Sequence, residues 1–193
     1  MSSLIRSVLT AFLLFSSVVS QVSAGYLQFA EDEEWAVFQG PFTATGVDEA
    51  INLLQSKKPK LIILNSSGGN IAASLRLAQF IRESGINTWV RENAICASAC
   101  VLVFLSGEQR LCEGEMYLHQ FLPAEAHKDH LITLDKAFIH VQRQIGEIVM
   151  MLNSFDAPDF ILERILNHQE LYRLTDADLA KINTLSSFEG ITE

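Results

Sequence analysis

The spacing of hydrophobic residues along this chain changes between continuous runs, alternation and a helical period, and these changes predict its elements. A continuous apolar run over 60–65 predicts a strand covered on both faces, and a second strand is predicted over 86–90. Helical spacing predicts helices over 46–58, where Pro59 ends the pattern, and over 70–84, just before Gly85. This alternation of strands and helices predicts an α/β fold with a largely parallel sheet.

Shorter elements flank this centre. Two short strands are predicted between residues 25 and 45, with the Gly40-Pro41 step interrupting them, so the second should be bent or at a sheet edge. A short apolar helix is predicted over 98–105, brief strands over 110–112 and 116–119, and later helices over 156–167 and from Thr175 to about 183.

The region 129–154 has its own pattern, in which apolar residues recur at alternating intervals of three and four. They are Leu131, Leu134, Phe138, Val141, Ile145, Ile148 and Leu152. This stripe predicts a helix of three heptads, longer than one layer of a small domain needs. Either the helix packs along its own sheet, or it protrudes and packs against another subunit.

The first 24 residues read as a secretory signal. One positive charge at Arg6 precedes an apolar stretch over 7–19, and small residues follow at 22–24. A stretch of 13 residues is shorter than the roughly 20 that span a bilayer. We therefore expect a signal peptide over 1–24 and one mature domain over 25–193, exported to the periplasm or secreted; an uncleaved membrane anchor is the alternative.

Charge and composition exclude several classes of function. The formal net charge is −9, and without residues 1–24 the chain keeps 13 basic against 23 acidic residues, or −10. Such a surface repels nucleic acid phosphates, and the chain has no basic patch with stacking aromatic residues. No Cys or His spacing is typical of a metal site, so we expect neither nucleic acid binding nor a metal or other cofactor.

The chain has three cysteines, Cys96, Cys100 and Cys112, whose pairing depends on the cellular compartment. In an oxidising compartment two of them can pair and leave the third over. A Cys96–Cys100 bridge would brace the turn that carries Ser98, and a Cys100–Cys112 bridge would join a helix to a neighbouring strand. Three small buried thiols are the remaining alternative.

The stretch 61–120 carries the candidate chemistry. Gly68-Gly69 follows a buried strand, Ser98 begins a helix among small residues, and His119 ends a strand. A serine hydroxyl needs a base to take its proton and donors for the oxyanion, and these are the residue types that supply them. Each has an ordinary structural explanation as well: a helix cap, a turn or a structural histidine. Their order and spacing favour a serine hydrolase.

Three segments carry a family resemblance: Asn65-Ser66-Ser67-Gly68-Gly69, Ala97-Ser98-Ala99 and Leu118-His119-Gln120. They resemble the proteolytic subunit of the Clp protease, in the ClpP/crotonase superfamily, and are closest to ClpP-like predicted periplasmic proteins with a Cys-Ala-Ser-Ala-Cys segment. The resemblance covers roughly residues 35–185.

The resemblance implies a spiral of β-β-α units with a protruding long helix that assembles subunits. It implies that Ser98 is the nucleophile and His119 the base, and that the N–H groups of Gly69 and Ala99 form the oxyanion hole, with Gly68 at the substrate.

The sequence departs from the family pattern at several positions. Ser67 and Phe121 replace prolines, and the family aspartate aligns with Leu171. Glu170, adjacent to that position and near His168, is the candidate third member of a triad; a Ser-His dyad is the alternative. Asp176 and Asp178 are interpreted as helix-start residues.

The function that follows is an exported serine peptidase acting on short peptides or unfolded chains. We expect a homo-oligomer formed through the 129–154 helix and, outside the cytoplasm, no ATPase partner. Two rivals are a catalytically silent protein that uses the fold for binding or assembly, and a crotonase-type acyl-CoA enzyme. Export and the Ser98–His119 pair argue against the acyl-CoA enzyme.

Overall fold

A computed structural model describes residues 25–120 and 134–188 of the chain. Within these ranges the protein is a mixed α/β fold with six helices and two mixed sheets, as the alternation of strands and helices predicts. In chain order the elements are β1 Tyr26–Phe29, β2 Trp35–Gln39, α1 Ala44–Lys57, β3 Leu61–Asn65, α2 Ile71–Glu83, β4 Asn87–Val90, β5 Ile95–Ala97, α3 Ala99–Leu105, β6 Arg110–Cys112, β7 Glu115–Leu118, α4 Leu134–Ser154, α5 Asp159–Asn167, β8 Tyr172–Arg173 and α6 Asp176–Ile182.

The larger sheet has the strand order β1-β2-β3-β4-β6. Only the β1–β2 pair is antiparallel, so the expectation of a largely parallel sheet is confirmed. Strand β3 lies in the middle, and its first four residues are all buried. A continuous apolar run is what a strand with neighbours on both edges and cover on both faces requires.

The edge position predicted for the strand at the Gly40-Pro41 step was wrong. Strand β2 is hydrogen-bonded on both sides, to β1 and to β3, and it ends at Gln39 before the step begins. Because Pro41 lies beyond the strand, its missing N–H removes no hydrogen bond from the ladder. The edge position belongs to β1.

The smaller sheet has the order β5-β7-β8, with β5 and β7 parallel and β7 and β8 antiparallel. An isolated bridge between Ser66 and Cys96 joins it to the chain just after β3. The carboxyl ends of β5 and β7 therefore lie beside the glycine-rich segment that follows β3.

Helix α3 lies in the centre of the core, and all seven of its residues are buried. A helix that is apolar on every side is stable only when it is enclosed on every side. Ser98 immediately precedes this helix, so the serine is anchored to the least mobile part of the protein.

Helix α4 begins at Leu134 within the described residues and differs between its two ends. Near its carboxyl end Ile148 and Leu152 are buried, whereas Phe138 is 61% exposed and Ile145 is 37% exposed. Leu131, the first member of the predicted stripe, lies outside the described residues. Among the side chains that the structure describes, the large apolar ones near the carboxyl end of α4 are buried at Ile148 and Leu152 and those at Phe138 and Ile145 are exposed.

No helix in the described ranges is long and apolar enough to cross a membrane. The predicted signal peptide over 1–24 lies outside these ranges.

Candidate active site

Ser98 occupies the junction between β5 and α3 in an unusual backbone conformation. Its φ is 56° and its ψ is −125°, a backbone conformation that residues other than glycine seldom adopt. The Ser98 N–H donates to the carbonyl of Tyr117 at 2.9 Å, which fixes the turn to β7. Strained residues of this kind persist only where the surrounding structure imposes them, and they cluster at functional sites.

The side chain of Ser98 does not act as a helix cap. It is half-buried and accepts no capping hydrogen bond from α3, although a serine at this position ordinarily would. Helix capping, the ordinary role of a serine at the start of a helix, therefore does not apply to Ser98. Its hydroxyl is available for another use.

Gly68 packs directly against the Ser98 turn. Its φ is +93°, and an added Cβ would lie 2.6 Å from the carbonyl oxygen of Ala97, 2.8 Å from the Ser98 Cβ and 3.0 Å from the Ala99 nitrogen. Both the backbone conformation and the space therefore require glycine here. The structure thus brings Gly68 and Ser98, two of the candidate site residues, into contact.

Gly69 is held from the opposite side, by the segment after β2. Its φ is +138°, and an added Cβ would overlap the carbonyl oxygen of Phe42. The Phe42 N–H donates to Gly68 and the Asn70 N–H donates to Phe42, each at 2.8 Å. The glycine segment is thus fixed between Phe42 and the Ser98 turn.

Two backbone N–H groups near Ser98 are unengaged. Within residues 25–120 and 134–188, the amides of Gly69 and Ala99 donate to no carbonyl or side chain. The Ala99 N–H is free because Ala99 is the first residue of α3, and the Gly69 N–H is free at an exposed position. Free N–H groups beside a strained serine are the kind of donor that an oxyanion hole uses.

The cysteines resolve into one pair and one free thiol. Cys96 and Cys100 form a disulfide with a Cα–Cα distance of 5.2 Å, while Cys112 is free and buried. Of the pairings that the sequence left open, the structure contains the one that spans Ser98. Burial raises the pKa of the Cys112 thiol from its ordinary 9.0 to about 12, so this thiol stays protonated and unreactive.

His119 follows the last residue of β7 and is half-buried. The Ser98 N–H binds the carbonyl of Tyr117, two residues before His119, so serine and histidine lie at the ends of neighbouring strands. The Nδ1 of His119 lies 2.6 Å from the carbonyl oxygen of Gln120. A proton on Nδ1 donates to that carbonyl and leaves the lone pair on Nε2.

Glu170, the candidate third residue, lies in the exposed connection between α5 and β8. Strand β8 pairs Tyr172 with Leu118, the residue before His119. Because the two strands are antiparallel, Leu171 follows this pair on the same side as His119. Leu171 is 63% exposed, and Glu170 forms no ion pair or hydrogen bond with another described residue. Within the described ranges, the structure has no hydrogen bond or ion pair between Glu170 and His119.

The interpretation of Asp178 as a helix-start residue is confirmed. Its backbone and side chain form a capping box with Thr175 at the start of α6, and its carboxylate also accepts the Tyr172 hydroxyl at 3.4 Å. Asp176 lies in the same first turn.

A group of polar side chains on β7 and β8 was not predicted. The Tyr117 hydroxyl donates to Glu115 at 2.7 Å, and Arg173 forms an ion pair with Glu115 at 3.0 Å. Tyr117 and Arg173 are paired across the two strands, so they lie on one face of the small sheet. The alternation of Glu115 and Tyr117 was visible in the sequence, but the two-residue strand that supplies Arg173 was not.

Comparison with family models gives no match to this chain, and comparison with curated proteins gives none either.

Proposed function

We propose that this protein is an exported serine peptidase of the ClpP-like group, with the β-β-α spiral of the ClpP/crotonase superfamily. The observation that carries the proposal is the Ser98 turn. It combines a strained serine whose hydroxyl is not used as a helix cap, a glycine packed on its Cβ, and unengaged N–H groups at Gly69 and Ala99.

The reaction begins when the Ser98 oxygen attacks the carbonyl carbon of a peptide bond and the His119 Nε2 takes the hydroxyl proton. The resulting oxyanion is stabilised by the N–H groups of Gly69 and Ala99. His119 then gives its proton to the leaving amine, which leaves an acyl ester on Ser98. Water, deprotonated by His119, attacks this ester and releases the carboxylic acid with the serine restored.

The Gln120 carbonyl supports a dyad. Catalysis by histidine requires one tautomer and one ring orientation, which an aspartate usually fixes through Nδ1. In this protein a backbone carbonyl lies 2.6 Å from Nδ1 and can hold the same proton. A carbonyl stabilises the imidazolium less than a carboxylate does, so a carboxylate partner would give the faster enzyme.

The test is labelling of the full chain, recovered from an oxidising compartment, with a fluorophosphonate probe that reacts only with activated serines. Ser98→Ala should abolish labelling, and His119→Ala should slow it by about 10²- to 10⁴-fold. Their effects on peptide hydrolysis should be non-additive because both residues act in one step.

The matched control is Ser106→Ala, since Ser106 follows the last residue of the same helix and donates to Val103. It should label like the wild type. Persistent labelling of the Ser98→Ala variant would overturn the assignment. A folded wild-type protein that is not labelled would instead support a catalytically silent binding protein.

We further propose that the protein is a homo-oligomer assembled through α4. Phe138 and Ile139 are 61% and 56% exposed, and Met150 is 75% exposed, so one helix keeps several large apolar side chains in water. Exposed apolar area costs about 25 cal/mol per Å², and a second subunit would remove it. Peptides or unfolded chains are the proposed substrates, with no ATPase partner outside the cytoplasm.

Light scattering coupled to size exclusion tests this assembly. Phe138→Glu combined with Val141→Glu should split the oligomer and leave a folded single domain. Gln142→Glu, an exposed position on the same helix, should leave the oligomer intact. A wild-type monomer at tens of micromolar would show that α4 has no partner.

A further inference from the structure

The Cys96–Cys100 disulfide connects the two elements that meet at Ser98. Cys96 is the middle residue of β5, Cys100 is the second residue of α3, and each lies two positions from the serine. Both side chains are fully buried. The bridge therefore encloses the strained residue at the centre of a five-residue loop.

Such a short bridge does little for the whole fold. A disulfide stabilises mainly by restricting the unfolded chain, and its effect grows with the length of the loop it closes. With a sequence separation of only four, Cys96 and Cys100 close one of the shortest loops possible. Its main effect must therefore be local.

Locally, the disulfide limits how far apart β5 and α3 can lie. Five residues in extended conformation would separate the end Cα atoms by about 13 Å, at roughly 3.3 Å per residue. The disulfide holds the Cα atoms of Cys96 and Cys100 at 5.2 Å. The chain cannot continue as a strand past Ala97, and the reversal that places Ser98 at a φ of 56° is maintained.

The other contacts on this reversal are the packing of Gly68 against the Ser98 Cβ and three backbone hydrogen bonds. The Ser98 N–H donates to Tyr117, the Ala97 N–H donates to Ser66, and the Val101 N–H donates to Ser98. Each such hydrogen bond contributes about 0.5–1.5 kcal/mol and the Ser98 conformation costs about 1–3 kcal/mol, so the two effects are of the same order. The bridge adds to this near balance, and without it we expect the turn to populate relaxed conformations in which Ser98 caps α3.

We propose that the Cys96–Cys100 disulfide is a positioning element for the nucleophile, so that oxidation raises the reactivity of Ser98 by at least about tenfold. This inference rests on the proposed serine peptidase function. As the bond forms, the two thiols lose two protons and two electrons, which a disulfide-bearing oxidant takes up to become a dithiol. A reduced chain then folds with a less reactive serine, and export to an oxidising compartment activates it.

The experiment compares the wild type with the Cys96→Ala/Cys100→Ala double variant. Cys112→Ala is the matched control because it removes the same atom from a buried site in the core. The second-order rate of fluorophosphonate labelling is measured well below the melting temperature of each protein. We expect the double variant to react at least about tenfold more slowly, since a small misplacement of reacting groups costs up to about 10²-fold.

The control should label within about twofold of the wild type even where its melting temperature falls. Wild type refolded in a dithiol reductant should behave like the double variant and recover after oxidation with a small-molecule disulfide. Equal labelling rates in the double variant and the wild type would overturn the proposal.

A second measurement does not depend on catalysis. Hydrogen exchange of the Ser98 amide, which is bonded to Tyr117, should speed up at least about tenfold in the double variant and not in Cys112→Ala. Unchanged exchange at Ser98 would refute the positioning role even if the wild type were never labelled. Absence of wild-type labelling with faster exchange would refute only the peptidase.

Discussion

Ser98 and His119 lie at the ends of two neighbouring strands, yet their surroundings differ in how fully they are fixed. The Ser98 turn is enclosed by Gly68, by the Cys96–Cys100 disulfide and by a hydrogen bond to Tyr117. Gly68 and Tyr117 belong to distant parts of the chain, whereas the disulfide closes the turn locally. A strained conformation is kept only under this kind of multiple constraint.

The strand beside His119 is short and its approach is exposed. This strand, β8, has only two residues, and Leu171 and Glu170 just before it are exposed. One contact of the His119 ring is with the neighbouring carbonyl of Gln120. The comparison teaches that the turn of the nucleophile is held against distant segments of the chain, while the strand beside the base is short and open to solvent.

The largest effect should come from Gly68→Ala. Its Cβ would approach backbone atoms of Ala97 and Ala99, which cannot rotate away, at a φ of +93°. We expect the free energy of unfolding to fall by about 3 kcal/mol, from strain and overpacking together. Fluorophosphonate labelling of Ser98 should fall below detection.

Gly146→Ala is the matched control, because an added Cβ there meets nothing within 4 Å. Within α4 this substitution should stabilise the protein by up to about 1 kcal/mol and leave labelling unchanged. Urea denaturation and labelling measure both effects. A Gly68→Ala variant with normal stability and labelling would show that the Ser98 turn is less constrained than the contacts indicate.

Much of the nucleophile side could be predicted from the sequence. The continuous apolar run of β3, the glycine pair after it and the apolar segment of α3 each carry a local signal. The unusual φ of Ser98 could not be predicted, because it arises from contacts with residues about 20 to 30 positions away in sequence. The choice of Cys100 over Cys112 as the partner was open for the same reason.

The histidine side was less predictable. Strands β5 and β8 have three and two residues, too few for a period to be read, and they exist because β7 pairs with both. Without β8, the sequence could not show whether Glu170 or Leu171 approaches His119. The contact of His119 with the Gln120 carbonyl depends on a ring orientation that no pattern encodes.

A smaller effect is expected from Glu170→Gln, which removes the charge and keeps the shape. Glu170 is exposed and contacts no described residue, so kcat/KM should change by less than about threefold. Glu163→Gln, on the exposed side of α5, is the control and should give a similar value. A loss of about 10²-fold or more at Glu170 alone would indicate a true triad.

The smallest effect should come from Asp178→Asn, in the turn that connects β8 to α6. Burial of this carboxyl by itself raises its pKa, while hydrogen bonds from Thr175 lower it. The positive charges of Lys181 and Arg164 act in the same direction as those hydrogen bonds, so the net pKa is lowered. The charged carboxylate therefore stabilises the folded state.

Because the folded pKa is lowered, this stabilisation is present above the ordinary value of 3.8 and is lost as pH falls through the folded pKa. At pH 7, Asp178→Asn should reduce the free energy of unfolding by about 1 kcal/mol, as expected for a helix cap. The two stability curves should converge in acid, and labelling should stay within about twofold. Asp176→Asn, in the same first turn but exposed, should have little effect. A large loss of labelling in Asp178→Asn would mean that the β8–α6 turn positions His119 after all, and that the two sides of the site are equally constrained.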